Sequence, residues 1–250
     1  MSSTESGMLS HQEGAGIAEV NNGSIKSNKQ IVASRLGEII LGGQDGLVNV
    51  AGVILGLAAA TDEVRIIIAG GLAATFAESI SMAAVAYTSK LANKDFYDAE
   101  TARETDEVRQ APESKQEQIK GIFDHWGFSG KLLEDVVDHI TTDEEHWVEI
   151  LMAHDNQLQP VPKKGLMSGA VLVGISAIVG SLIPLWPFFF FSINTAIVVG
   201  LTLTALVLYV VGVVKARLTV GSPSKSGMQM LVIGMAAALV GYAIGLLFRP

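Results

Sequence analysis

The sequence predicts an all-α integral membrane protein with five transmembrane helices and a helical cytosolic domain inserted between helices 2 and 3. Aliphatic and aromatic residues make up 49% of the 250 residues. The mean hydropathy is positive at +0.41, which is higher than an ordinary soluble domain carries. Five apolar runs are long enough to cross a hydrocarbon layer of ~30 Å as helices. A long acidic segment separates the second run from the third.

The apolar runs define the predicted domain organisation. "TDEVR" joins the first two runs, and "SLIPLWP" interrupts the third near its end and separates it from the fourth. The runs lie at about residues 39–60, 66–89, 166–185, 188–214 and 227–248. We therefore expect a polar, disordered tail with no signal peptide (1–33), transmembrane helices 1 and 2 (34–90), an acidic helical domain (91–164) and transmembrane helices 3 to 5 (165–250).

The distribution of lysine and arginine predicts the orientation. With the N-terminus in the cytosol, fifteen of the seventeen basic residues face the cytosol, and only Arg65 and Arg249 lie outside. The N-terminus and the 91–164 domain are then cytosolic, and the C-terminus is outside or lumenal.

The chain has no cysteine, which excludes disulfides and thiolate metal sites, and its net charge of −8 argues against nucleic acid as a partner.

Ionisable residues at membrane depth are the strongest functional signal in the spans. Such residues are costly in lipid and usually mark a transport pathway or a proton relay. Counting residues at ~1.5 Å each puts Asp45 roughly 9 Å from the cytosolic face, Glu78 roughly 12 Å and Met82 roughly 6 Å. Asn49 lies one turn beyond Asp45 on the same face, and Glu38 lies at the cytosolic boundary.

Two interpretations of this layer remain open. Glu78 is either a protonated structural acid hydrogen-bonded to a neighbouring helix, with Met82 facing lipid, or part of an ion site with Asp45 and Met82. A thioether selects borderline or soft metals, whereas Ca²⁺ and Mg²⁺ sites use oxygen alone, so Fe²⁺ and Mn²⁺ fit the second interpretation. Glycine pairs spaced four apart, which let helices approach closely, are Gly42 and Gly46, Gly52 and Gly56, and Gly241 and Gly245.

The segment 90–164 contains seventeen of the 25 acids and four of the five histidines. A helix that continues the second span places Glu100, Glu104 and Glu107 on one stripe, and a helix after Pro112 carries Glu113 and Glu117. A solvated face explains any single glutamate. Unpaired acids one turn apart repel each other, however, and a bound cation removes that repulsion.

The last helix of this segment carries a second acidic stripe. Thr142 and Glu145 form a predicted capping box. Glu145, Glu149 and Met152 are expected on one face with Asp155 beside them. The opposite, apolar face carries Trp147, Ile150, Leu151 and His154.

"IILGGQDGLVNVAGVILGL" followed by "ESISMAAVAYTSK" resembles the vacuolar iron transporter family, and so does the acidic insert after the second span. The resemblance covers about residues 34–248. It implies a homodimeric carrier that moves Fe²⁺, often also Mn²⁺, out of the cytosol in exchange for protons. Its cytosolic helices are implied to collect metal with glutamates and a methionine.

By position, the resemblance assigns the metal path to Asp45, Met82 and Glu38, and cytosolic metal binding to Glu104, Glu107, Glu113, Glu117, Glu149, Met152 and Asp155. Two positions depart from the family pattern. Plant-like members have a glutamate where this chain has Ala74, with Glu78 one turn away, and Asp155 stands where a glutamate is usual.

These observations predict a proton-coupled divalent-metal exporter, with Fe²⁺, Mn²⁺, Co²⁺ or Zn²⁺ as substrate, no prosthetic group and no enzymatic activity. It would lie in a vacuolar membrane in a eukaryote, or in the inner membrane of a prokaryote. The alternative function is a membrane-anchored ferroxidase or ferritin-like iron store that uses the same acids. A third interpretation is a membrane scaffold whose acidic domain binds a basic protein.

Overall fold

The structure, a computed structural model, describes the side chains of residues 32–154, 156–160, 165–218 and 221–249. The predicted tail, residues 1–33, lies almost entirely outside these residues. Every regular element in the described part of the chain is helical, as predicted. The α-helices are α1 (Glu5–Ala60), α2 (Val64–Gln110), α3 (Pro112–His125), α4 (Gly130–Thr141), α5 (Glu144–His154), α6 (Leu166–Leu185), α7 (Ile193–Leu218) and α8 (Pro223–Leu247).

Five helical segments are long and apolar enough to cross a membrane, which confirms the predicted number of spans and an integral membrane protein. They are Val32–Ala60, Val64–Gln110, Leu166–Phe189, Ile193–Leu218 and Pro223–Leu247. The fourth begins five residues later than predicted, because Trp186–Phe189 forms a 3-10 turn between α6 and α7. Pro184 lies inside α6 without ending it at that residue. Its missing N–H removes one backbone hydrogen bond, and the helix ends at the next residue, Leu185.

The chain divides into two compact units. The first consists of residues 1–86 and 167–250 and contains α1 and α6 to α8 with the apolar part of α2. The second consists of residues 87–166 and contains the polar part of α2 with α3, α4 and α5, the helices expected after the second span. That the second unit is cytosolic stays a prediction.

Each helix of the second unit contributes to its apolar core. The buried core residues are Val108, Ile119, Leu133, Val137, Trp147, Val148, Leu151 and Met152. The predicted capping box at the start of α5 is wrong. The helix begins one residue later than that motif requires, so Asp143 caps it and accepts a hydrogen bond from the Glu145 N–H at 2.9 Å. The Thr142 hydroxyl instead donates to the Asp138 carbonyl at 2.7 Å.

Glycines bring α1 into backbone contact with two other helices of the first unit. An ideal Cβ on Gly42 would lie 2.1 Å from the Val173 carbonyl oxygen of α6. A Cβ on Gly245 of α8 would lie 2.0 Å from the Gly56 carbonyl oxygen of α1. No side chain fits at such distances, so these glycines allow close packing of helices within one protomer. Contacts within one chain therefore explain the four-residue spacing of these glycines.

We expect Gly46→Ala to destabilise the first unit. An ideal Cβ at this position would lie 2.3 Å from the Ala177 carbonyl oxygen, so α1 and α6 must separate. Overpacking of this kind costs roughly 1–3 kcal/mol. Gly37→Ala in the same helix is the control, because nothing lies within 4 Å of its added Cβ. Thermal unfolding of the detergent-purified protein measures both variants, and equal midpoints would contradict the helix contact.

Candidate functional site

Two carboxyl side chains from neighbouring spans meet inside the first unit. The carboxyl group of Glu78 in α2 lies against that of Asp45 in α1, and the Asn49 side chain lies beside Glu78. Two carboxylates this close repel each other, and either a proton on one of them or a cation between them removes that repulsion. Asp45 and Glu78 are half-buried and Asn49 is exposed. The structure thus joins three of the five residues predicted for the pathway.

The local sequence of α2 leaves Glu78 available for this contact. The neighbouring hydroxyl groups are buried and bond to their own helix. Thr75 Oγ1 donates to the Gly71 carbonyl at 2.8 Å, and Ser79 Oγ donates to the Thr75 carbonyl at 2.6 Å. The hydrogen bonds of these hydroxyl groups are therefore made within α2, as those of serine and threonine are in membrane helices.

The two remaining residues predicted for the pathway, Met82 and Glu38, lie one to two helical turns from the carboxyl pair. Met82 is half-buried one turn after Glu78 on α2. Glu38 lies nearly two turns before Asp45 on α1, with its Oε2 atom 3.7 Å from Arg35 Nη1. Arg35 also donates to Ser168 Oγ on α6 at 2.8 Å. Glu38 thus belongs to an ion pair at the start of the apolar part of α1, in keeping with the boundary position predicted for it.

A cleft of about 440 Å³ lies between α2 and α5 in the second unit. Its lining consists of Tyr97, Thr101 and Thr105 of α2 with Glu144, Glu145, Val148, Glu149 and Met152 of α5. Glu145 and Glu149 are exposed. The cleft therefore combines two carboxylates and a thioether that the sequence placed on one stripe.

Met152 is more buried than the sequence predicted. We expected it on the polar face of α5, but it is only 1% exposed and packs in the core of the unit. Val148 and Leu151, one turn and one residue before it, are buried on the same side and carry Met152 inward with them. Met152 still lines the cleft, and its sulfur accepts a hydrogen bond from Asn156 Nδ2 at 3.6 Å.

One acid of the cleft is already paired. The Arg109 guanidinium donates to both oxygens of Glu144, at 3.0 and 2.7 Å, and so joins the end of α2 to the start of α5. The hydrogen bond from Arg109 lowers the pKa of the Glu144 carboxyl below its ordinary value. Arg109 thus contacts Glu144 and leaves the other two carboxylates of the cleft, Glu145 and Glu149, to the cleft itself.

Glu104 and Glu107, predicted as metal ligands, are held by a lysine. The Lys115 ammonium of α3 donates to Glu104 Oε1 and to Glu107 Oε2, the latter at 2.7 Å. Asn156 Nδ2 donates to Glu104 Oε2 at 3.2 Å. Burial by itself would lower the pKa of Lys115, but its hydrogen bonds to Glu104 and Glu107 outweigh that effect and raise the pKa above the ordinary value.

The other predicted acids are dispersed. Glu100 accepts from Arg103 at 2.6 Å, Glu117 lies 3.7 Å from Lys120, and Glu113 is exposed. Asp155 lies outside the described residues. Among the described residues, no three aspartate, glutamate or histidine side chains stand close enough together to hold a metal ion. The predicted ligands that line one common cleft are Glu145, Glu149 and Met152.

Sequence reasoning missed the partners of these acids, chiefly Lys115, Asn156 and Arg109. One signal for Lys115 was present: it lies one turn before Ile119, the fully buried residue of α3, and so on the inward face of that helix. Asn156 and Arg109 contact residues 52 and 35 positions away, and no local pattern reveals such pairs.

Five membrane-crossing helices with a carboxyl pair between two of them define an integral membrane protein that holds ionisable groups within its spans. The chain belongs to the VIT family, whose model matches residues 36–246. This confirms the resemblance seen in the sequence.

Several relatives are similar over most of the chain. Vacuolar iron transporter 1 of Tulipa gesneriana is 29% identical over 209 residues, which cover 83% of this chain and 84% of the relative. Vacuolar iron transporter 1 of Oryza sativa subsp. japonica is 30% identical over 211 residues, covering 83% and 82%. The vacuolar iron transporter of Plasmodium falciparum (isolate 3D7) is 25% identical over 232 residues, covering 89% and 85%.

Cross-linking tests the contact between Asp45 and Glu78 directly, because the chain contains no cysteine. We expect a short bifunctional thiol reagent to link the two cysteines of Asp45→Cys/Glu78→Cys, with loss of both free thiols and a matching gain in mass. Asp45→Cys/Phe76→Cys is the control, since Phe76 is 54% exposed and lies on another face of α2. Linking of the control pair to the same extent would contradict the geometry.

Proposed function

We propose that this protein is a transporter that moves divalent metal ions, Fe²⁺ and also Mn²⁺, out of the cytosol in exchange for protons, and that it is not an enzyme. The observation that carries this proposal is the pair of neighbouring carboxyl groups, Asp45 and Glu78, between two spans of a VIT family member. The relatives named vacuolar iron transporter support iron as the substrate.

The carboxyl pair has the chemistry that metal–proton exchange requires. Two neighbouring carboxyl groups can share one proton, which removes the repulsion between them. A divalent cation bound between them favours both carboxylates and displaces the proton. Met82 then offers a thioether one turn along α2, and Asn49 offers an amide oxygen. The thioether favours Fe²⁺, Co²⁺ or Zn²⁺ over Ca²⁺ and Mg²⁺. Glu78 is the proposed proton-coupled residue.

The acidic helices supply the proposed capture step. Glu145, Glu149 and Met152 of the cleft combine two hard ligands with a soft one, as an intermediate ion such as Fe²⁺ prefers. Exposed acids around them raise the local concentration of cations. We assign this collecting role also to Glu113, Glu117 and Asp155, with Glu38 at the entrance of the pathway.

The proposed direction of transport follows from the orientation. Fifteen of the seventeen lysines and arginines lie on the side of the N-terminus and of residues 90–164, which favours the cytosolic side for both. In a eukaryote the names of the relatives favour the vacuolar membrane. A homodimer is proposed from the family resemblance.

Glu78→Gln should abolish proton-driven transport. The amide keeps the shape of the side chain but can neither release a proton nor bind a cation as a carboxylate does. Uptake of Fe²⁺ into proteoliposomes, with and without a pH gradient, measures this, and oxygen consumption measured in parallel tests for a ferroxidase. Glu63→Gln, an exposed acid before α2, is the control and should transport normally. Undiminished flux through Glu78→Gln would refute the assignment.

Met152→Leu should distinguish the packing role of this methionine from its proposed role as a metal ligand. Leucine keeps the apolar volume, so thermal stability should change by less than about 1.5 kcal/mol. Loss of the thioether should weaken binding of Fe²⁺ and Co²⁺ at equilibrium more than binding of Mn²⁺, which relies more on oxygen ligands. Glu134→Gln, an exposed acid of α4 outside the cleft, is the control. An equal loss for all three metals would show that the sulfur is not a ligand.

A further inference from the structure

Two of the acids that the sequence assigns to metal already hold a cation that belongs to the chain. Glu104 and Glu107 lie one turn apart on α2, and the Lys115 ammonium contacts both. The side chains of Glu104 and Lys115 are 2% and 8% exposed. A buried ammonium between two carboxylates occupies the position in which a bridging divalent ion would bind them.

Every carboxylate oxygen of this pair has a donor. Lys115 serves Glu104 Oε1 and Glu107 Oε2, while Asn156 serves Glu104 Oε2. Arg103 donates to Glu107 Oε1 at 2.5 Å. An arriving metal ion would therefore have to compete with a donor at every oxygen of the two carboxylates and would stand beside two positive side chains. Both effects oppose its binding.

The contrast with the cleft is sharp. Glu145 and Glu149 are exposed, whereas Glu104 is buried and each of its carboxylate oxygens accepts a hydrogen bond. Breaking a buried ion pair by removing one partner leaves an uncompensated charge, which is strongly unfavourable. If Lys115 were lost, Arg103 would still compensate Glu107, but buried Glu104 would keep only the neutral Asn156 amide, and a divalent ion could then take the place of the ammonium.

We infer that Lys115 is an internal cation that fills the Glu104–Glu107 site and determines which acids of the protein bind metal. This inference rests on the proposed function in so far as the cleft acids collect the metal. In the native protein Lys115 joins α2 to α3 without any ion, and metal uptake is restricted to acids outside this pair. Lys115 is thus a specificity-determining residue of the metal-collecting unit.

The test is the number of Mn²⁺ ions bound by the full-length protein in detergent, measured from the electron paramagnetic resonance signal of free Mn²⁺. We expect Lys115→Gln to bind one more ion per chain than the wild type. Its Tm should fall in the absence of Mn²⁺ and recover when Mn²⁺ is added. Lys131→Gln is the control in the same unit, because Lys131 is exposed and lies outside the cleft, and it should behave as the wild type.

A second pair of variants identifies the site of the additional ion. Glu104→Gln in the wild-type background should bind as many ions as the wild type, since Glu104 is not a ligand there. In Lys115→Gln/Glu104→Gln the additional ion should be lost. If Lys115→Gln folds only when produced with Mn²⁺, that dependence supports the inference. No additional ion in folded Lys115→Gln, or one ion fewer in Glu104→Gln, would overturn it.

This test separates the inference from the proposed function. Wild-type protein that transports metal in proteoliposomes, together with a Lys115→Gln variant that gains no ion, would refute the inference and leave the function intact. Protein that transports no metal, while Lys115→Gln gains an ion, would refute the function and leave the role of Lys115 intact.

Discussion

Backbone contact between α1 and its neighbours α6 and α8 is the constraint on which the first unit depends. Lipid tails are as apolar as the side chains that face them, so helices associate in a bilayer through close packing rather than through burial from water. Glycines provide that closeness, with Gly42 against Val173 and Gly245 against Gly56. The helix held in this way is also the one that carries Asp45 and Asn49. Its packing therefore fixes where these two polar side chains lie.

The protein compensates its carboxylates in two different ways. Between the spans, the carboxyl groups of Asp45 and Glu78 lie against each other, and a shared proton removes their repulsion. In the helical unit, Glu104 and Glu107 share the ammonium of Lys115. A shared proton can be exchanged for a metal ion and returned, whereas a tethered ammonium stays with the chain. The first arrangement suits a transport pathway, and the second suits a permanent link between helices.

The acids of the helical unit are consequently not equivalent, although the sequence presents them as similar stripes. Arg109 engages Glu144, Arg103 engages Glu100, and Lys115 engages Glu104. The exposed carboxylates of Glu145 and Glu149 face a cleft that also contains a thioether. Membership of the VIT family makes this cleft the most informative place to look for metal capture.

The sequence by itself determined the helical class, the five spans, the helices that follow the second span and the family. These properties depend on residues near one another in the chain: apolar length, helical spacing and short motifs. It also placed Asp45 and Glu78 in one layer, because depth in a membrane follows from counting residues along a helix. The cap of α5 and the burial of Met152 were predicted incorrectly. The first depends on the residue at which α5 begins, and the second on the rotation of α5 about its own axis.

Only the tertiary structure decided which acid is paired with which base. Lys115 and Asn156 meet Glu104 from 11 and 52 residues away, and Arg109 meets Glu144 from 35 residues away. A stripe of glutamates has the same spacing whether its partner is solvent, a metal ion or a lysine of another helix. The partner is chosen by how the apolar faces of α2, α3 and α5 pack into one core, which no local pattern in the sequence encodes.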